Sequence, residues 1–273
     1  IVYRDTGSTV TVVGLAPGVT YHFRVYEFNG TGGGSDYNTN TAVNNPRSTA
    51  TAAFGLVYEG FDYGSFVNLS GQSGGTGWTN SWSTSGGLVE TGSGDYPDFG
   101  AYPPDTPPPT RSAFIDLGNA SEDGSGSRKA RRNFPAMTSG RMYVALKMNN
   151  AHTMGNSDYM GVNLLNGTTV TGFFGKAFGV ANQRLTVEYN GSVRTNQLDG
   201  SNSGYGLNGG VDYLIVAMID FNNREFKARA YTQSQLAHAN PDLEAAWSVE
   251  MNNVFIDRID GIQIVASDNN QIF

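Results

Sequence analysis

From residue 141 to residue 231 the chain repeats one pattern, a short run of alternating apolar and polar residues followed by a pair that turns the backbone. In residues 141–148, Met142, Val144, Leu146 and Met148 fall on one side and Arg141, Tyr143, Ala145 and Lys147 on the other. Successive side chains of a strand point to opposite faces, so this run predicts a strand with one apolar and one wet face. Residues 159–165, 169–174 and 184–195 continue the pattern, with Asn166-Gly167 and Asn190-Gly191 as tight hairpin turns. Around the second turn Leu185, Val187 and Tyr189 are expected inward before it, and Val193 after it. Residues 211–221, VDYLIVAMIDF, are apolar on both faces, as in a central strand covered on both sides. Asn222-Asn223 then turns the chain into residues 225–231, which predict Phe226, Ala228 and Ala230 inward and Glu225, Lys227 and Arg229 toward water. Residues 112–117 and 256–266, the latter through Ile262 and Ile264, also read as strands. Such a chain folds as packed sheets.

Composition agrees, because 36 glycines among 273 residues and only 15% charged residues favour turns and buried strands over long helices. One short helix is expected at Asn240-Pro241-Asp242-Leu243-Glu244, where a capping residue precedes a first-turn proline and early acids. A net charge of −7 argues against a nucleic-acid partner held through phosphates. The basic run Arg128-Lys129-Ala130-Arg131-Arg132 reads as a solvated loop or the start of a strand. With no cysteine there is no disulfide, thiolate metal site or cysteine nucleophile. No apolar run is long enough to span a membrane as a helix, so no membrane insertion is expected.

Near the start, Leu15-Ala16-Pro17-Gly18-Val19-Thr20-Tyr21 leads into a strand with Tyr21, Phe23 and Val25 expected inward and His22, Arg24 and Tyr26 outward. This L-x-P-G-x-x-Y spacing resembles the tyrosine corner of fibronectin type III domains, a partial immunoglobulin-like sandwich. The glycine loop 29–34 and the run 38–46 match that family's last hairpin and strand. Further on, Tyr58-Glu59-Gly60-Phe61-Asp62-Tyr63 precedes Gly71-Gln72-Ser73-Gly74-Gly75-Thr76-Gly77-Trp78 and a second indole, Trp82. The glycines suit a long turn with aromatics packed beneath it. This order resembles the opening of the concanavalin A-like (laminin G-like) jelly-roll domains of large secreted bacterial proteins. The resemblance implies an extracellular, secreted or cell-surface β-sandwich and names no ligand.

The expected organisation is therefore all-β. Residues 1–46 are the C-terminal part of a fibronectin type III domain, 47–53 a linker, and 54–273 a concanavalin A-like jelly-roll β-sandwich. Both ends are expected to be cut from a longer polypeptide, with a last jelly-roll strand missing. Residues 1–50 are then expected to pack poorly by themselves.

Many folds of this kind hydrolyse glycosides, which for a retaining pair takes two carboxylates about 5–5.5 Å apart. The nearest pairs, Glu59 with Asp62, Asp220 with Glu225 and Asp257 with Asp260, have the wrong spacing or straddle turns. His22, His152 and His238 have no zinc spacing. Binding asks for less, namely an aromatic platform and a few polar groups. The proline-stiffened loop from residue 90 to 111 offers both in Asp95, Tyr96, Asp98, Phe99 and Tyr102, the carbohydrate-binding candidates. The alternative reading of these aromatics is that they cover the sandwich edge, and Trp78 and Trp82 are expected to be buried packing.

Laminin G-like relatives often hold one calcium. No cofactor is required here; for a structural calcium the oxygen donors on offer are Asp95, Asp98, Asp105, Glu122 and Asp123, without a D-x-D-x-D-G loop. The expected function is a non-catalytic module that binds a polysaccharide or a cell-surface or matrix component alongside other domains of the same polypeptide. The alternatives are a structural spacer and, third, a glycosidase.

Overall fold

The computed structural model describes residues 20–30, 36–40, 43, 45–50, 57–86, 88–91, 113–115, 128–150, 154–180, 183–195, 206–232, 235, 247–267 and 271–272. The chain divides into two compact units, Ile1–Leu56 and Val57–Phe273.

In the first unit β1 (Thr20–Phe23), β2 (Glu27–Asn29), β3 (Asp36–Asn38) and β4 (Arg47–Ala50) form two antiparallel pairs, β1 with β4 and β2 with β3. None of its described residues is buried. Tyr21 and Phe23 are half-buried and His22 is exposed, as the alternation predicts, but the strand stops at Phe23. Val25 is 74% exposed instead of inward. Its N–H donates to Asn45 Oδ1 at 2.9 Å and its carbonyl accepts from Asn45 Nδ2 at 2.6 Å, so one side-chain amide replaces a partner strand there. Residues 47–50, expected as linker, are paired along β1 from Thr20↔Ala50 to Phe23↔Arg47.

The second unit contains β5 (Ser83–Ser85), β6 (Glu90–Thr91), β7 (Ala113–Ile115), β8 (Arg128–Met137), β9 (Arg141–Asn150), β10 (Met160–Asn166), β11 (Thr169–Lys176), β12 (Thr186–Tyr189) and β13 (Ser192–Thr195). There follow β14 (Asp212–Asp220), β15 (Glu225–Thr232), β16 (Val249–Asn252), β17 (Ile259–Ala266) and β18 (Gln271–Ile272). Among the described residues they make two seven-stranded sheets, ordered β13-β12-β11-β10-β17-β8-β5 and β16-β15-β14-β9-β18-β7-β6. Every pairing is antiparallel.

One core lies between the sheets. It takes Val162, Leu164, Phe174, Val187 and Ile264 from the first and Met148, Ile215, Ala217, Ile219, Phe226 and Ala228 from the second. These are the inward positions of the alternation, and β14 is buried on both sides as its continuous apolar run requires. The unit is an all-β sandwich.

Three local readings are corrected. Val193 is 43% exposed. The two-residue turn at Asn190-Gly191 sets Tyr189 opposite Ser192, hence Glu188 opposite Val193 and Val187 opposite Arg194. Directly opposed residues share a face, so Val193 lies on the outer side with Glu188. Glu90 and Thr91, placed in the proline-rich loop, pair as β6 with β7. The third concerns the basic run, which starts β8, as one of its two readings had it, but is not solvated throughout.

Arg132 points inward and is only 2% exposed. Its guanidinium pairs with Glu59 Oε2, donates at 2.7 Å to each of the Asn80 and Gly74 carbonyls, and lies 5.0 Å from the Trp78 ring centre and 5.8 Å from that of Trp82. Glu59 also accepts from Tyr63 Oη at 2.7 Å, Trp82 Nε1 at 2.9 Å and the Phe61 N–H at 2.8 Å. The turn above depends on Gly75, at φ 72°, where a Cβ would stand 2.2 Å from the Tyr58 carbonyl oxygen. Trp82 is buried and Trp78 partly buried, so the indoles are packing, as expected. The short helix expected at 240–244 and the loops 92–111 and 118–127 lie outside the described residues.

Candidate functional site

The two outer sheet faces differ. On the β14 sheet, Leu214, Val216 and Met218 point outward yet are buried, so that face is covered at its centre. On the β10 sheet the outward positions run across the strands as Glu188 (β12), Phe173 (β11), Asn163 (β10), Gln263 (β17) and Arg131 (β8), each opposite the next in register. A parallel row holds Gly175, Gly161, Val265 and Lys129.

A groove of about 440 Å³ lies over these rows. That volume suits a small ligand or a stretch of a longer one. Asn163, Glu188 and Lys129 contribute polar groups to its lining; Tyr159 and Phe178 stand at one side, and Asn190 and Gly191 of the β12–β13 turn at the other end. Asn163 Nδ2 donates to Gln263 Oε1 at 3.0 Å, which fixes the floor amide and, among the described residues, leaves its own oxygen free to accept. Among the described residues neither the Lys129 ammonium nor the Glu188 carboxylate has a hydrogen-bond or ion-pair partner. Phe178 is 68% exposed.

Close approach shapes the floor. A Cβ on Gly161 would stand 2.2 Å from the Phe174 carbonyl oxygen and 2.8 Å from the Phe173 ring, and one on Gly175 2.3 Å from the Met160 carbonyl oxygen. The missing side chains let Phe173 lie flat along the sheet, where it packs with Ala177 and Val265 under Tyr159 and Val180.

The wall at Tyr159 is held at both ends. Tyr159 N–H donates to Ser267 Oγ at 2.7 Å, and Ser267 N–H to the Tyr159 carbonyl at 3.0 Å. At the other end the wholly buried Lys176 sends its ammonium to the carbonyls of Gly155 (2.6 Å), Asp158 and, more weakly, Asn156 (3.4 Å). Asn156 in turn accepts from Gly179 N–H at 2.8 Å, which ties in the turn carrying Phe178. Burial lowers the Lys176 pKa, and the nearby Asp158 carboxylate works against that shift.

The carbohydrate candidates Asp95, Tyr96, Asp98, Phe99 and Tyr102, and the calcium candidates Asp95, Asp98, Asp105, Glu122 and Asp123, lie outside the described residues. Among the described residues no three His, Cys, Asp or Glu side chains cluster as a metal site would need. All three carboxylate pairs have a member in structural use: Glu59 serves Arg132, and Asp220, buried beside the β14–β15 turn, accepts from Arg141 Nε, the Asn222 and Asn223 N–H groups and Asn223 Nδ2. In the third, Asp260 holds Arg258 through two nitrogens and accepts from Gly167 N–H at 2.7 Å. The groove residues escape motif reading because they come from five strands and the turns between them, β11 giving four and β8, β10, β12 and β17 one each. A faint signal exists, a polar residue at an outward position in the middle of a mostly apolar strand, as with Asn163 and Gln263.

No family model matches the chain, and no curated protein matches it. Among solved structures, a sialidase is similar over 59% of this chain and 12% of its own, at 9% identity and a TM-score of 0.37. The metal-free lectin I-B4 of Griffonia simplicifolia is similar over 59% of this chain and 86% of its own, at 9% identity and 0.32. The SPRY domain of human HERC1 is similar over 53% and 80%, at 12% identity and 0.26. At such identities and scores the fold rests on the sheets described above, not on these likenesses.

Proposed function

We propose that residues 57–273 are a non-catalytic carbohydrate-binding sandwich of the concanavalin A-like kind. It would be an extracellular module of a larger secreted or cell-surface protein, preceded by a unit of the fibronectin type III kind. The observation that carries the binding reading is the groove on the open sheet face, with its unpartnered carboxylate and ammonium and an exposed ring beside them. Sugar hydroxyls donate to carboxylate and amide oxygens and accept from ammonium groups, while the C–H face of a pyranose lies against an aromatic ring.

From Glu188 on β12 to Lys129 on β8 the groove crosses four strand spacings, ~19 Å, enough for a short run of sugars. Glu188 is the single carboxylate among its lining residues, whereas hydrolysis uses two, which supports binding without cleavage. The net charge of −7 favours a neutral polymer over an anionic one.

Native affinity electrophoresis of the full chain through gels containing xylan, mannan, mixed-linkage glucan or laminarin tests this. Retardation by one of them is expected, with its loss in Asn163→Ala and in Phe178→Ala. Retardation that survives both substitutions moves the site elsewhere, with the Asp95 to Tyr102 loop first in line. No retardation by any polymer leaves the module as a spacer that displays neighbouring domains.

A further inference from the structure

Among the described residues of the second unit, Lys176 is a buried charge that the strand pattern does not foresee. It closes β11 opposite Met160, on the inward side of the sheet, with no exposed surface. A buried ammonium is costly unless its hydrogens are satisfied. Here they are met by main-chain carbonyls of the turn that leads into β10, at Gly155, Asn156 and Asp158. The same turn closes on itself through Asp158, whose carboxylate accepts from Gly155 N–H and whose own N–H donates to the Gly155 carbonyl.

Converging carbonyls beside a carboxylate are the donor set that hard cations take from protein loops. In this turn the chain's own cation occupies their focus. The turn carries Tyr159 at one end, and through Asn156 and Gly179 it holds the turn that carries Phe178.

We infer that Lys176 is a positioning residue that serves this turn as a built-in cation, fixing the Tyr159 and Phe178 wall of the groove without a bound metal. What the wall is fixed for rests on the carbohydrate reading; the fixing itself can be measured with no sugar present.

Amide exchange of the full chain reads it directly, comparing residues 154–160 and 177–180 with the central strand β14 in the unsubstituted protein, Lys176→Met and Lys176→Ala. In the unsubstituted protein the wall should exchange equally slowly with 2 mM calcium and with EDTA. Both variants should lose about tenfold or more of the wall's protection while β14 keeps most of its own. Millimolar n-propylammonium, which supplies the three carbons and the charge that Lys176→Ala removes, should restore the wall in that variant and not in Lys176→Met.

Wall protection unchanged in both variants, lost in step with β14, indifferent to propylammonium, or dependent on calcium in the unsubstituted protein would overturn the inference. Xylan, mannan, mixed-linkage glucan and laminarin are then offered to the same samples. If none binds, the carbohydrate reading fails while the exchange result on Lys176 stands. If one binds, its affinity should fall in Lys176→Ala and recover with propylammonium; an affinity unmoved by the substitution shows that Lys176 does not position the groove.

Discussion

Arg132 and Glu59 carry opposite charges where two indoles and a phenol exclude water. Such a pair contributes little over an apolar replacement, but removing one partner strands the other. Arg132→Met should therefore cost ~3–5 kcal/mol of unfolding free energy in urea titrations. Arg132→Lys should recover only part, because one ammonium cannot reproduce a planar fork that reaches Glu59 and the Gly74 and Asn80 carbonyls together. An unchanged midpoint in Arg132→Met would contradict the arrangement. Tyr63 belongs to the same cluster, and burial, then its hydrogen bond to Glu59, push its phenol up to about 12. Its folded value lies above the ordinary one, so the stability it adds is whole below about pH 10 and is lost as pH rises through about 12. Comparing the unsubstituted protein with Tyr63→Phe at pH 9 and pH 12 checks this, since the substituted protein should lose less between the two. The run from Arg128 to Arg132 shows where residue-level reading stops. Its composition suggested water, or at most the start of a strand, yet the partner of Arg132 lies 73 positions away.

At the scale of elements, the β14–β15 hairpin was the most legible part of the chain, because an apolar run, two asparagines and a strict alternation all specify the same turn. The structure adds what secures it. Burial raises the Asp220 carboxyl, but the Arg141 hydrogen bond and the Asn223 donors outweigh it and hold the group below the usual carboxylate range. A lowered folded value gives stability that is present above the ordinary carboxylate pKa and lost as pH falls through the folded one. Asp220→Asn should thus cost about 1–3 kcal/mol near pH 7, and the gap between the two proteins should narrow as urea titrations are taken down toward pH 3. A constant gap would show that the carboxylate's charge is irrelevant to the turn. The β12–β13 hairpin was legible as a hairpin but not in its facing, since the fate of Val193 depends on counting register across the turn. The groove was barely legible, through the mid-strand polar residues Asn163 and Gln263 alone. Its floor is drawn from strands that neighbour one another only after folding, and β17 separates β10 from β8 although it follows both in sequence.

For the molecule as a whole, two units of unequal solidity share one chain. The first buries none of its described residues, whereas the second encloses a continuous core. Residues 20–29 should therefore exchange their amides through local openings, orders of magnitude faster than β14, whose amides should wait for global unfolding. Slow exchange at Tyr21 and Phe23, equal to that of β14, would refute this. The all-β class was readable from periodicity and turns, while the sheet orders were not, because no local signal says that a late strand inserts between earlier ones. That insertion governs how the protein is made. Residues 259–266 fill the gap between β8 and β10 in one sheet, and residues 271–272 the gap between β7 and β9 in the other. A ribosome that has reached residue 258 thus holds a chain with unpaired edges in the middle of both layers. Pairing over such separations is slow and leaves edges open to wrong partners, so the sandwich can close only once residues 259–272 have emerged, and until then the chain depends on whatever shields it.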